Sequence, residues 1–221
     1  LPDLRLRELP LKARLHEPNV PITSVYFPEA SYVSMVAYME NGDAAEVGLI
    51  GYEGLVGLPV LLGSDRSDIE ALVQCPGPAL SMGVGAFRAA LEADHILRSL
   101  LLRYALVHHE QVARTVACNS RHYTRERLAR WLLMAHDRAR SDNFPMTHET
   151  LSMMLGVRRA GITVAAGQLQ KAGFIRYEKG RITVMDRPRL EAVACECYSV
   201  HRRAYERLFG TWAEAPDFDR R

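Results

Sequence analysis

The sequence predicts an α+β chain in three parts: a β-rich N-terminal portion, one long apolar helix, and a C-terminal helix-turn-helix with a β-hairpin wing. Three observations carry that class. Short apolar segments separated by turn residues fill residues 11–82. Near Gly85 the apolar period becomes helical and stays so for more than twenty residues. Residues 146–185 then combine two short helical patterns with two strand-like segments around a glycine turn.

In the β-rich part, Ser24-Val-Tyr-Phe, Tyr32-Val-Ser-Met-Val-Ala-Tyr-Met and Ala45-Glu-Val-Gly-Leu-Ile alternate or run apolar. Pro28-Glu-Ala, Asn41-Gly-Asp and Gly51-Tyr-Glu-Gly separate them, and Asn41-Gly42 is a strong hairpin signal. Ile69-Glu-Ala-Leu-Val-Gln and Ala79-Leu-Ser-Met are further strands, so a sandwich or barrel is expected. After a helix from Phe87 to Leu91, the long helix spans residues 96–118. Ile96, Leu97, Leu100, Leu101, Tyr104 and Val107 crowd its first half, a stripe too wide for a solvent-exposed helix. It reads as a dimerisation helix, packed on its own barrel on one side and on a partner on the other. Asn119-Ser120 marks a hinge, Thr124 starts a helix to Arg140, and Ser141-Asp-Asn-Phe-Pro is a loop.

In the helix-turn-helix, Thr147 is the N-cap of the first helix, with Leu151 and Leu155 four apart on one face. Gly156 occupies the turn, where positive φ is needed. The second helix starts near Arg158, turns Ile162, Ala165 and Leu169 inward, and has Gly173 at C′. Gly161 and Gly167 each lower its helix propensity by about 1 kcal/mol relative to alanine. Phe174-Ile-Arg-Tyr-Glu and Arg181-Ile-Thr-Val-Met flank the Lys179-Gly180 turn, and residues 188–209 make one final amphipathic helix. The domains are therefore expected at 1–93, 94–118 and 119–210, with a disordered tail at 211–221.

Two crossed helices of this kind present the second to a major groove, so double-stranded DNA is the expected partner. Charge distribution agrees. The formal net charge is only +2, but residues 1–117 carry 9 Lys/Arg against 14 Asp/Glu, whereas residues 118–209 carry 17 against 9. The longest apolar run, residues 55–62, is too short to span a bilayer. Four scattered cysteines (Cys75, Cys118, Cys195, Cys197) fit a reducing cytoplasm better than a disulfide framework.

The order of parts resembles the Crp/Fnr family of bacterial transcription regulators over nearly the whole chain. The resemblance is strongest in Glu126-Arg-Leu-Ala-Arg-Trp-Leu-Leu, residues 151–169 and Gly173-Phe-Ile-Arg-Tyr. In the N-terminal part it rests on Val25-Tyr-Phe-Pro, Gly42-Asp and Gly51-Tyr-Glu-Gly-Leu-Val-Gly. It implies a cyclic-nucleotide-binding-like β-roll and a homodimer on a two-fold symmetric operator, with RNA polymerase as a further partner. Cyclic-AMP-binding members hold ribose with a Gly-Glu pair and phosphate with Arg-Ser or Arg-Ala. Here Gly57 is followed by Leu58, which accepts no hydrogen bond, and Arg66-Ser67 is flanked by Asp65 and Asp68, which repel phosphate. Cyclic AMP is therefore not the expected effector; a non-nucleotide ligand, a redox input or constitutive action stay open, with a cyclic-nucleotide-dependent regulator as the alternative.

No cofactor or metal is expected either. An iron–sulfur cluster needs a cysteine cluster in the N-terminal part, where only Cys75 stands. His108 and His109 point about 100° apart and read as surface or interface residues rather than haem ligands. Cys195 and Cys197 sit two apart on the expected final helix and do not face each other, a poor metal spacing. A cupin-like enzyme on the β-roll needs clustered ligands, and the β-rich part offers only His16. A pure dimerising scaffold leaves the basic helix-turn-helix unexplained.

On the second helix, the face opposite Ile162, Ala165 and Leu169 carries Ala160, Thr163, Val164, Gln168 and Lys171. Arg158 and Arg159 stand at its N-terminal end. The resemblance puts Arg159 at the family's guanine-contacting position, while Ala160 and Val164 replace a glutamate and an arginine of cyclic-AMP receptors. The operator is therefore expected to differ from the cyclic-AMP type. Ala160 and Val164 suit thymine methyl groups, and Thr163 and Gln168 suit hydrogen bonds to a base or phosphate. Thr147, Lys179 and Arg181 are candidate phosphate contacts.

Overall fold

The computed structural model describes residues 3–210; the tail assigned to 211–221 lies outside the described residues. Two antiparallel sheets build the N-terminal roll. One holds β1 (Arg5–Leu9), β7 (Gly77–Gly83) and β3 (Ser24–Pro28) in the order β1-β7-β3. The other holds β2 (Arg14–His16), β6 (Glu70–Cys75), β4 (Tyr32–Tyr38) and β5 (Ala44–Ile50) in the order β2-β6-β4-β5. The Asn41-Gly42 signal is the β4–β5 turn: Gly42 has φ 85° and the Asn41 side chain accepts from the Asp43 amide at 3.0 Å. The apolar run at 55–62 ends in a single helical turn, α1 (Leu58–Leu61).

The four-stranded sheet is buried on both faces, which is why β4 reads as a nearly continuous apolar run. Val33, Met35, Ile50 and Val73 point into the roll with Leu55, Val60 and Phe87. Tyr32, Val36, Leu49 and Cys75 point the other way and share a core with Leu128, Trp131 and Leu132 of α4 (Thr124–Ala139). The C-terminal unit is therefore docked onto the outside of the sheet.

Polar contacts cross the same seam. The Trp131 indole N–H donates to Glu46 Oε1 at 2.7 Å, and the Ser34 hydroxyl donates to Glu46 Oε2 at 2.5 Å. The buried Arg138 guanidinium meets Glu53 at 2.7 Å. Desolvation dominates at Glu46 and lifts its carboxyl from 4.5 to about 7, against the two donors and the charges of Arg130 and Arg138. A raised folded pKa contributes stability that is fully present below the unfolded value and lost as pH rises through the folded one. That loss is about 3 kcal/mol between roughly pH 4.5 and 7. Glu46→Gln should flatten it, and urea unfolding of both proteins at about pH 5 and 8 checks this. An equal pH dependence in the two proteins would remove Glu46 as its source.

Between the domains run α2 (Val84–Ala93) and α3 (His95–Arg121). Asp94 caps α3 by accepting from the Ile96 and Leu97 amides at 2.9 and 3.0 Å. The helix continues past the expected break at Asn119-Ser120 and ends at His122, so the bend before α4 lies at 122–123. Two glycines let α3 lie close on the roll: a Cβ at Gly54 would overlap Tyr104 Oη, and one at Gly48 would stand 2.7 Å from His108 Cε1.

Two further expectations need correction. Asn143–Pro145, read as loop, is a strand (β8) completing the wing sheet β8-β10-β9 with β9 (Ile175–Glu178) and β10 (Arg181–Val184). The final helix is two: α7 (Arg187–Val193) and α8 (Cys197–Phe209), separated by extended backbone at Ala194. The amphipathic period carries no signal for that interruption, because both halves are amphipathic on their own.

Candidate nucleic-acid interface

Helix α5 (His148–Leu155) starts where the Thr147 hydroxyl accepts from the Thr150 amide at 3.0 Å. It ends at Gly156, whose φ of 58° makes the turn. The buried Arg127 of α4 donates to the Leu155 carbonyl and fixes that end of α5. Helix α6 (Arg159–Lys171) follows, with Arg158 at its N-cap. Ile162, Ala165, Ala166 and Leu169 are buried, so α6 lies against α4 and α5 with its far side free.

On that far side Arg158, Arg159, Ala160, Thr163, Val164, Gln168 and Lys171 are all exposed, as are Thr147, Lys179 and Arg181 around it. Three of the hydrogen-bonding groups are already engaged, Thr147 by its capping bond to the Thr150 amide. The Thr163 hydroxyl donates to the Arg159 carbonyl at 3.1 Å and lies 3.2 Å from His148 Nδ1. The Arg181 guanidinium folds back onto the Asn143 side chain and donates to the Asn143 carbonyl at 3.2 Å, which turns it along the sheet. Lys179 therefore stands as the cation of the wing tip, on a turn where both Lys179 and Gly180 have positive φ. His148 stacks on Tyr177 at 4.3 Å, tying the start of α5 to the wing.

A shallow groove beside α6 brings in residues that sequence reasoning missed. Tyr123, Thr124 and Arg125, at the start of α4, line it with Ala160, Val164 and Gln168. Tyr123 is 82% exposed, and Arg125 adds a cation. Only the fold brings them to the recognition helix, since 35 residues separate Arg125 from Ala160.

The residues at the cyclic-nucleotide motif positions, Gly57, Leu58, Arg66 and Ser67, each have local partners. Gly57 is the N-cap of α1 and packs so closely on Val25 that a Cβ would stand 2.6 Å from its Cγ1. Leu58 packs on the apolar core of the roll. Arg66 is exposed, 3.8 Å from Asp65, and reaches the Asn19 carbonyl at 3.4 Å. The Ser67 hydroxyl accepts from the Ile69 amide at 3.1 Å. His16 is buried and bonded through Nε2 to the Ser24 carbonyl.

The six residues assigned to the dimer helix divide. Leu101 and Tyr104 are buried against the chain's own roll, Leu97 packs there too, and Val107 is also buried. Ile96 and Leu100 are exposed. His108 is likewise turned to the chain's own sheet, against Gly48, with its pKa lowered to about 4 chiefly by burial, while His109 is exposed.

The family model described as the Crp-like helix-turn-helix domain matches residues 126–193, from α4 to the end of α7. These residues are similar to a Crp-like helix-turn-helix domain. No curated protein matches the chain. Solved structures extend the likeness to the whole fold. FixK2 from Bradyrhizobium japonicum superposes with a TM-score of 0.72 at 15% identity, covering 87% of this chain and 98% of that one. TTHA1359, a Crp/Fnr-family transcriptional regulator from Thermus thermophilus, gives 0.70 at 20% identity, covering 86% and 98%. CLP from Xanthomonas campestris, described as a c-di-GMP-responsive global regulator, gives 0.64 at 14% identity, covering 83% and 94%. The likeness is one of fold: a β-roll, a long helix and a helix-turn-helix domain in the same order. No helix among the described residues is long and apolar enough to cross a membrane.

Proposed function

We propose that this chain is a sequence-specific, non-enzymatic transcription regulator that binds a two-fold symmetric operator as a homodimer in the cytoplasm. The observation that carries the reading is the free face of α6, with Arg158 and Arg159 at its N-terminal end and Lys179 on the wing beside it. Arg159 is placed to read a guanine edge, Val164 and Ala160 to meet thymine methyl groups, and Gln168 to reach a base or phosphate. Thr147, Lys171 and Lys179 lie where phosphates of a groove-bound duplex would pass, and Arg125 adds a fourth. Thr163 supports the face through its bonds to Arg159 and His148 more than by direct contact.

The homodimer is supported by a stripe on α3. Ser99, Leu102, Leu106, His109, Ala113, Val116 and Ser120 are all exposed and alternate three and four apart, an a/d heptad seam. It lies opposite the side on which Leu101, Tyr104 and Val107 are buried. RNA polymerase as a further partner follows from the likeness to transcription regulators. Cyclic AMP is disfavoured as effector by Leu58 and by the outward placement of Arg66.

The decisive experiment is selection from a random duplex library on purified protein, without and with cyclic AMP, at stated salt. Enrichment of a symmetric site without nucleotide is expected. Enrichment only with cyclic AMP would overturn the effector reading, and none under either condition would count against sequence-specific binding. On the selected site, Arg159→Ala should cost about 1–3 kcal/mol, roughly 5- to 150-fold, and erase preference at one position of each half-site. Lys179→Ala should instead weaken all sequences alike and reduce the salt slope by about one. An unchanged preference in Arg159→Ala would remove its base-reading role.

A further inference from the structure

Three cysteines and a histidine meet at the bend between α3 and α4. Cys118 lies in the last turn of α3 and His122 follows four residues on; Cys195 and Cys197 come from the interruption between α7 and α8. Their ligand atoms all lie within 4.8 Å of one another. The cysteines are free thiols, buried, and form a cluster of their own apart from both apolar cores.

Two of the cluster's edges match those of a tetrahedral site. With Zn–S about 2.3 Å and Zn–N about 2.0 Å, the edges of a tetrahedron are about 3.8 Å between sulfurs and about 3.5 Å from sulfur to nitrogen. Cys118 Sγ stands 3.5 Å from Cys195 Sγ, and Cys197 Sγ stands 3.7 Å from His122 Nδ1. An independent feature orients the histidine. His122 Nε2 is 3.1 Å from a Glu196 carboxylate oxygen, so Nε2–H donates there and the Nδ1 lone pair faces the sulfurs. A carboxylate behind a histidine in this way is the usual support of a metal ligand.

We propose that Cys118, His122, Cys195 and Cys197 bind one zinc ion in a closed, four-ligand site. The broken α7–α8 connection is what makes it possible, since residues two apart on one continuous helix would diverge. Binding exchanges the thiol protons for Zn2+ and leaves a net charge of −1 on three thiolates, one imidazole and the metal. Arg130, buried and donating to Thr115 Oγ1 at 2.9 Å, lies close enough to act on the Cys118 sulfur and balance that charge. The site clamps the end of the long helix to the connection between α7 and α8 across the bend. On the DNA-binding reading above, its occupancy therefore sets the orientation in which α6 is presented.

The test is metal content of the full chain, purified reduced, incubated with zinc and desalted. About one zinc per chain is expected, with Cys75→Ser retaining it and Cys195→Ser/Cys197→Ser losing it. Cobalt(II) added to the stripped wild-type chain should give the intense absorption of tetrahedral thiolate coordination, a readout independent of how the variants fold. Zinc well below one equivalent without that spectrum, or zinc retained by the double variant, would overturn the site. So would a Cys118–Cys195 disulfide that persists in fully reduced buffer and blocks uptake. None of these readouts involves DNA, so failure of the operator reading is seen separately. With zinc bound, identical operator affinity of loaded and stripped protein would overturn the coupling to α6.

Discussion

Arg138→Met is expected to destabilise the chain by about 3–5 kcal/mol, the cost of leaving a buried charge without its partner. Arg138 is fully buried on α4, with Nη2 at 2.7 Å and Nε at 2.9 Å from Glu53 Oε1, and Nη1 donating to the Met134 carbonyl at 2.8 Å. It also packs beneath Gly51, where a Cβ would stand 2.5 Å from its Cγ. Methionine fills much of the same volume, so the loss isolates the charge rather than a cavity. The Glu53 carboxylate is then stranded in the joint between roll and α4. Adding Glu53→Gln to Arg138→Met should recover much of the loss, because neither buried charge remains. Urea unfolding of the four proteins of this double-mutant cycle measures the coupling. A loss below about 1 kcal/mol in Arg138→Met would mean that water reaches the pair and that the joint is held by its apolar contacts.

That joint was the least legible part of the sequence, and the reason is physical. Local period reveals an element and its turn chemistry. Thr147, Gly156, Gly173 and Lys179-Gly180 therefore located the recognition unit, and Asn41-Gly42 the β4–β5 hairpin. Period also reveals that a face is buried, but not against what. Tyr32-Val-Ser-Met-Val reads as a strand buried on both sides, yet nothing local says that its second side receives Trp131 and Leu132. Glu46, Glu53, Arg127 and Arg138 look like surface charges one at a time; each also bonds to a partner between 28 and 85 residues away. The cysteines failed for a related reason. Cys195 and Cys197 are two apart on what reads as one helix, and a break at Ala194 with no glycine or central proline turns them toward Cys118. On α3 the apolar stripe was legible, but its division between roll and partner was not, because leucine suits either.

The division of that stripe predicts the largest change in assembly. Leu106→Glu is expected to convert the homodimer to monomer, whereas Leu100→Glu is expected to leave it intact. Both leucines are exposed in the single chain, 46% and 43%, so exposure alone does not separate them. Their direction does. With about 100° per residue, Leu106 lies on the line of Leu102, His109, Ala113 and Val116, while Leu100 points to the side of Leu101, Tyr104 and Val107. A two-fold axis along the seam doubles every substitution in it. Losing the exposed half of two leucines forfeits about 1.5–3 kcal/mol, and burying two facing carboxylates in an apolar seam adds several kcal/mol more. Since 1.4 kcal/mol is tenfold, the dimer dissociation constant should rise by about three orders of magnitude or more. Operator affinity should fall with it by about 10²- to 10⁴-fold, because each recognition helix would then bind its half-site alone. Sedimentation of wild type, Leu106→Glu and Leu100→Glu over a concentration series reads the first effect, and titration of a whole operator against a half-site reads the second. A dimeric Leu106→Glu, or a monomeric Leu100→Glu, would place the partner on the other side of α3 and would require the Crp-like domains to meet DNA from a different pairing.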